Sequence, residues 1–321
     1  MRILIHVLAA LGAAFSFNLQ AQDWPNKPIR YIVPFAPGGA TDMLGRMVGV
    51  GLSSRLGQPV VIDNKAGQGG SVGSAELAKA KPDGYTLGGG TISSHALNVT
   101  LYPKLSYDPT KDFAPITMLA ALPNVLVVHP SLNVKNVAEL IALLKANPNK
   151  YSFGSSGNGT SQHISGEMFK IMTGTQITHV PYRGSGPMMI DLLAGTTQLS
   201  FENSNTALPQ VAAGKLRALA VTSAKRSKAA PEIPTMQEAG LAGYDISSWQ
   251  AMFAPAGTPP AIVQRLHAEV AEILKQPDNV KKLAELGLEP GGGKPEELAA
   301  LIAAEIPRLG NVVRQSGAKV D

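Results

Sequence analysis

Ile29 to Phe35 is a predominantly apolar run that predicts a buried strand. The loop Ala36-Pro37-Gly38-Gly39-Ala40-Thr41-Asp42 leads from it into a helix predicted from about Met43 to Leu56. Pro59 to Asp63 predicts a second strand and Ser71 to Lys79 a helix. Tyr85 to Gly88 predicts a third, short strand before a loop holding Thr91-Ile92-Ser93-Ser94-His95. Strands that alternate with helices predict a parallel sheet covered on both faces.

The grammar changes at Leu122 to His129, a continuous apolar strand stopped by Pro130 and followed by a helix from Val137 to Lys145. A first crossover between two lobes is expected there. Strand-loop-helix units then restart. Strand Tyr151 to Phe153 runs through the loop Gly154-Ser155-Ser156-Gly157-Asn158-Gly159-Thr160-Ser161 into a helix from His163 to Met172. Strand Thr178 to Tyr182 precedes helix Met188 to Ala194, strand Gln198 to Phe201 precedes helix Ala207 to Ala213, and strand Arg217 to Thr222 follows. Trp249 to Ala254, closed by Pro255-Ala256-Gly257-Thr258-Pro259-Pro260, reads as the return crossover. Beyond it Ile262, Leu266, Val270, Ile273 and Leu274 make one apolar helical stripe expected to pack on the first lobe. Helices are predicted over Lys281 to Leu286 and Pro295 to Val313, the last bent at Pro307.

The N-terminus adds an address. Met1-Arg2 is followed by uncharged Ile3 to Phe17 and ends near Ala21, the pattern of a secretory signal peptide over residues 1–21 and too short to span a bilayer. What remains, about 300 residues, is more than one core usually serves, so two domains are expected. The absence of cysteine excludes disulfides, thiolate catalysis and Cys-ligated metal. The net charge of +5 is spread singly or in short clusters such as Lys225-Arg226-Ser227-Lys228. Phosphate-tracking surfaces need concentrated charge, so nucleic acid is not an expected partner.

Chemistry is confined to a few places. Gly/Ser/Thr loops between a strand end and a helix start aim free N–H groups and the positive helix end at whatever sits there. Facing each other across a cleft, Ala36 to Asp42 and Gly154 to Ser161 suit a carboxylate. Micromolar binding needs ~8 kcal/mol, and hydrogen bonds to a charged group supply ~1.5–3 kcal/mol each. The alternative is that Gly38, Gly39, Gly157 and Gly159 only satisfy turns, with Thr41, Asp42 and Thr160 as helix caps. Gly69-Gly70-Ser71-Val72-Gly73 matches G-x-S-x-G, which would make Ser71 an esterase nucleophile. That elbow, however, follows a strand directly, and here about seven residues intervene after Asp63. Val72 breaks the dinucleotide fingerprint, no Walker loop is present, and the six histidines show no ligand spacing, so neither cofactor nor metal is expected. His95 and His163 follow polar loops and are candidates to line the cleft. Arg183 follows a strand end, where a carboxylate clamp and a solvated loop position are both open.

These residues, with Trp24-Pro25, Val33-Pro34-Phe35, Asn64-Lys65-Ala66-Gly67, Pro82-Asp83-Gly84-Tyr85, Val180-Pro181-Tyr182-Arg183-Gly184 and Gly214-Lys215-Leu216-Arg217, resemble the Bug-type (Bordetella uptake gene) solute-binding receptors of tripartite tricarboxylate transporters. The resemblance implies an α/β periplasmic-binding-protein type 2 fold, two α/β lobes with a ligand cleft between them and a two-strand hinge. Lobe one is expected over residues 23–123 plus 250–321 and lobe two over 124–249, hinged near Leu122 and Trp249.

It further implies a monomeric periplasmic protein, not an enzyme, that closes on an aliphatic di- or tricarboxylate or an aromatic acid and hands it to transporter membrane subunits. A carboxylate sensor or scavenger working without a transporter is the remaining alternative. The ligand-binding set expected on this footing is Phe35, Ala36, Gly38, Gly39, Ala40, Thr41 and Asp42 from the first loop. Ser93 joins it, with Ser155, Ser156, Asn158, Thr160 and His163 from the second. Pro181, Tyr182, Arg183, Glu202 and Asn203 complete it. The sequence departs from the family at Glu202, where aspartate is usual, and at Ala251, where glycine is frequent.

Overall fold

The computed structural model describes residues 24–320, so the signal peptide expected over residues 1–21 lies outside the described residues. Two mixed sheets share one long strand. In the first half of the chain β1 (Ile29–Val33) pairs in parallel with β2 (Val60–Asn64) and β3 (Thr86–Thr91). Between them run α1 (Ala40–Leu56) and α2 (Ser71–Ala78), and after β3 comes a short helix α3 (Asn98–Leu101). The long strand, β4 (Phe113–Val128), is followed by α4 (Val137–Ala146), β5 (Ser152–Ser155), α5 (Ser161–Thr173), β6 (Thr178–Pro181) and α6 (Ser185–Leu193). Then come β7 (Leu199–Asn203), α7 (Ser204–Ala212), β8 (Arg217–Val221) and β9 (Ser247–Pro255). The chain ends with α8 (Pro260–Lys275), α9 (Pro277–Glu285), the two-residue β10 (Glu289–Pro290) and α10 (Pro295–Gln315).

Strand β4 changes partners along its length. From Phe113 to Pro123 it pairs antiparallel with β9, and Ala120 and Ala121 also meet β10; from Asn124 or Val125 onward it pairs with β7 and β8. The parallel order expected from alternating strands and helices therefore holds within β2-β1-β3 and β7-β5-β6, whereas the crossover strands β4 and β9 run antiparallel to their neighbours. Strand periodicity puts two cores on each sheet. Tyr31 and Val33 join one cluster and Ile32 another; Leu126 and Val128 join a third, Val125 and Val127 a fourth. The α8 stripe behaves as expected: Leu266, Val270, Ile273 and Leu274 are buried with Ile29 of β1 and Leu44, Val48 and Leu52 of α1. Fully burying one such side chain contributes roughly 1.5–3 kcal/mol.

Several elements begin before their expected positions: α6 at Ser185 rather than Met188, α7 at Ser204 rather than Ala207 and α9 at Pro277 rather than Lys281, and two more show why. α1 starts at Ala40, three residues before the expected Met43, because Gly39 is extended and serves as the N-cap. β4 starts at Phe113 rather than Leu122. Its first half carries Pro115 and two register shifts against β9, irregularities that hide a strand from period-two reading.

Candidate functional site

Four helix N-termini converge between the two sheets. The cavity there is lined by Phe35, Gly39, Ala40 and Thr41 at the start of α1, and by Ser156, Thr160, Ser161 and Gln162 at the start of α5. Ser185 opens α6, Asn203 caps α7, and Thr91 of β3, Ser93 in the helical turn after it, and Ser248 and Gln250 of β9 complete the wall. No lining side chain carries a formal charge. Converging positive helix ends with uncharged donors form an environment that favours an anion.

The first loop is held from behind. The Asp42 carboxylate turns away from the cavity, accepts from the Gly38 N–H at 3.1 Å and from Asn64 at 3.0 Å, and pairs with Arg46 at 2.9 Å. Burial pushes its pKa up, and the Arg46, Asn64 and Gly38 hydrogen bonds outweigh that, so it stands below the usual carboxylate range. Asn64 also donates to the Phe35 carbonyl at 2.9 Å. Asp42 thus fixes the loop whose free amides face the cavity.

The second loop is held from within. Thr160 caps α5 by accepting from the His163 N–H, and its hydroxyl donates to the Gly157 carbonyl at 2.7 Å. Gly157 sits at φ +134°, in the region that favours glycine, so a side chain there would be strained, and its Cβ would stand a tight 3.0 Å from the Tyr182 carbonyl. Gln162 accepts from the Ser156 N–H at 2.7 Å and donates to Ser185 at 3.2 Å and Glu202 at 3.1 Å.

Behind the lining lies Glu202, fully buried, whose Oε1 accepts from Gln162, Ser185, the Asn203 N–H and Thr206, while Oε2 has no hydrogen-bond partner. Burial raises its pKa against those four donors. On the hinge side Thr41 donates to Gln250 at 2.6 Å, Gln250 donates to Ser248 at 3.3 Å, and Asn203 donates to Asn124 at 2.6 Å.

Of the eighteen residues expected to bind ligand, Phe35, Gly39, Ala40, Thr41, Ser93, Ser156, Thr160 and Asn203 line the cavity. Asp42, Ser155, His163 and Glu202 stand behind it. Ser155 is bonded to Gly157 and His179, and His163 Nδ1 accepts from the Gly159 N–H at 3.1 Å. Ala36, Gly38, Asn158 and Arg183 lie along the seam where loops of the two sheets touch, and Tyr182 lies beside it. The Ala36 N–H donates to the Arg183 carbonyl at 3.0 Å, and the Tyr102 hydroxyl to the Asn158 carbonyl at 3.2 Å. The Arg183 side chain is exposed and outside the cavity lining, Tyr182 donates to Asp191, and Pro181 is exposed at the end of β6. Ser161, the last residue of the second expected loop, also lines the cavity, and Thr91, Gln162, Ser185, Ser248 and Gln250 line it without having been named as ligand residues from the sequence. Ala251 is buried among Ile32, Trp249 and Phe253, away from the cavity.

Ser71 is buried at the start of α2 and receives hydrogen bonds from Asn98 at 2.8 Å and Tyr107 at 3.3 Å. Gly70 at φ +93° and a short turn, not a strand, precede it. The one histidine bonded to a neighbouring serine in that region, His95, is held by Ser94 and stacked on Phe253 at 4.1 Å.

Burial lowers the pKa of His95 to about 3, of His163 to about 4, and of His179 to about 3, the last also through the stacked His163. All three are neutral in the fold and titrate near 6.5 once unfolded. Below that value the unfolded chain binds more protons, so stability is full above about pH 6.5 and is lost as pH falls toward 4, by up to about 1.4 kcal/mol per pH unit and per histidine. Glu202, with its pKa raised, acts in the opposite sense and partly offsets the loss. Urea midpoints measured from pH 7 to 4.5 should fall steadily, and His95→Phe should flatten the slope; a flat profile in the unaltered protein would contradict the buried neutral histidines.

Residues 44–318 match the family model described as "Tripartite tricarboxylate transporter family receptor". The chain is 38% identical over 320 residues to the protein BugT of Bordetella pertussis, covering 98% of each. It also resembles an R. palustris protein solved with adipate, at 42% identity and a TM-score of 0.89, covering 93% of this chain and 100% of that one. MatC from Rhodopseudomonas palustris, solved with bound malate, is 32% identical with a TM-score of 0.86, covering 90% of this chain and 100% of that one.

Proposed function

This chain belongs to the tripartite tricarboxylate transporter receptor family, of the Bug type, as a solute-binding receptor and not an enzyme, and we propose that its ligand is a small aliphatic dicarboxylate. The observation that carries the reading is the uncharged cavity ringed by the N-termini of α1, α5, α6 and α7. Two relatives hold adipate and malate, both dicarboxylates. One carboxylate sits on the free amides of Gly39 to Thr41 with the Thr41 hydroxyl, and the other end of the ligand reaches Ser161, Gln162 and Asn203.

The lobes, residues 23–123 with 250–321 and residues 124–249, hinge where β4 exchanges β9 for β7 and β8, close to Leu122 and Trp249. The space between them is about 20 Å3, room for about one water. A four- to six-carbon acid therefore enters only when the lobes part, and contacts from both sides then favour closure. Exported by the N-terminal signal, the receptor works as a monomer in the periplasm and delivers its acid to the membrane subunits of a tripartite transporter. Among the described residues no helix is long and apolar enough to cross a membrane.

A thermal-shift series of mono-, di- and tricarboxylates tests the ligand class. A dicarboxylate at a hundred times its Kd should add ~2.7 kcal/mol of stability, a rise of several degrees in Tm. Stabilisation by neutral solutes and by no carboxylate would overturn the proposal.

A further inference from the structure

A second and larger cavity, of about 420 Å3, lies against the hinge strands. Cross-strand partners Pro123 and Ser247 line it, whereas Ser248 and Gln250 of the same strand line the cleft. Ser247 and Ser248 point to opposite faces of their strand, so the cavity opens on the side of Ser247, away from the cleft, and the consecutive Ala121, Leu122 and Pro123 of β4 form its edge. Its remaining walls come from both sides of the hinge, the segment Lys225 to Ala229 after β8 and the segment Ala284 to Pro290 from α9 to β10. The volume falls within the ~300–1,000 Å3 of small-molecule pockets.

We propose that this cavity is a second ligand site, for a small amphipathic anion bearing one carboxylate or sulfonate on an apolar body, and that its occupancy is coupled to closure of the cleft. The apolar body fits the lining of Ala121, Pro123, Ala229, Ala284, Leu288 and Pro290. Three cationic residues, Lys225, Arg226 and Lys228, stand at the cavity against one carboxylate, Glu289. Arg226 is already engaged by Glu238 at 2.8 Å, and the Lys228–Glu289 pair, at 3.5 Å, is almost fully exposed and contributes little. Lys225 has no ion-pair partner among the described residues and is the cation left to receive the anionic head.

Coupling follows from where the walls belong. Lys228 and Glu289, from different lobes, meet at the rim of the cavity, so any change in lobe angle moves one wall against the other. The cavity has its present shape in the arrangement in which the cleft is shut. An occupant fitted to that shape favours the shut arrangement, and by reciprocity the shut arrangement favours the occupant.

Anilinonaphthalene sulfonate, an amphipathic anion that fluoresces when sheltered from water, is the probe, titrated into the full mature chain with a thermal melt confirming that each variant is folded. Saturable binding is expected. Lys225→Glu should weaken it about tenfold or more, and Ala284→Trp, which fills the cavity from an exposed helix position, should abolish it. Gly186→Leu, which touches no residue of this cavity but props the cleft open, should weaken it about fivefold. Binding unchanged by both Lys225→Glu and Ala284→Trp would overturn the site; binding sensitive to those two but indifferent to Gly186→Leu would overturn the coupling. None of these outcomes depends on which acid the cleft takes.

Discussion

Gly186→Leu is expected to lower dicarboxylate affinity about a hundredfold or more while leaving both lobes folded. Gly186 stands in the first turn of α6, where an added Cβ would lie 2.2 Å from the Pro37 carbonyl oxygen and 3.7 Å from Gly38 Cα, both in the loop of the opposite lobe. Its backbone is helical, so a side chain is unstrained within its own lobe. The clash exists only when the lobes meet. Gly69 approaches the Asn158 carbonyl as closely, but at φ +57° a substitution there would also strain its own loop, which makes Gly186 the cleaner position. Held ajar, the receptor keeps contacts from one lobe only. Micromolar binding needs about 8 kcal/mol; with that shared between two lobes, losing half costs up to about three decades in Kd. Calorimetry should register the loss, scattering should give a larger radius of gyration in the presence of the acid, and Tm without ligand should stay within a few degrees. Unaltered affinity would mean that the cleft binds without closing.

The same loop shows why the site was only half legible in the sequence. Phe35 to Asp42 and Gly154 to His163 could be read because a strand, a Gly/Ser/Thr run and a helix follow one another, and that order dictates free amides at a helix start. The reading did not separate residues that face the cavity from those that hold the loop: Asp42 and His163 have the right spacing, yet their side chains satisfy the backbone of their own loops. Gln250 and Ser248 went unnoticed because they interrupt a run dominated by Trp249, Ala251, Met252 and Phe253; buried polar residues at alternate positions of an apolar strand were the available signal. Ser185 carried none, and Gln162, inside the second segment, had nothing to set it apart from its neighbours; the place of both in the cavity depends on Glu202, distant in sequence. Arg183 looked like a clamp at a strand end, but the seam uses its carbonyl and leaves its guanidinium outside.

Glu202→Ala is expected to destabilise the protein by about 3 kcal/mol and to weaken ligand binding with it. One oxygen of this carboxyl gathers Gln162, Ser185, the Asn203 N–H and Thr206, so three elements, α5, α6 and α7, are registered on a single atom. Gln162 keeps Ser185 and Thr206 keeps the Asn203 carbonyl when Glu202 is removed, but the Ser185 hydroxyl and the Asn203 N–H are left buried without an acceptor. Each such orphan costs about 1–3 kcal/mol. Because Gln162, Ser185 and Asn203 line the cavity, the loosened wall should also lower affinity. Glu202→Gln separates geometry from charge. It keeps the accepting oxygen and removes the ionisation that burial opposes. The folded pKa of Glu202 is raised, so the stability it confers is full below its unfolded value near 4.3 and is lost as pH rises through the folded value. Glu202→Gln should therefore match the unaltered protein near pH 4.5 and exceed it above pH 7, while Glu202→Ala falls below both throughout. Urea denaturation at the two pH values reads the difference, and a Gln variant less stable at the higher pH would show that an ionised Glu202 stabilises the fold.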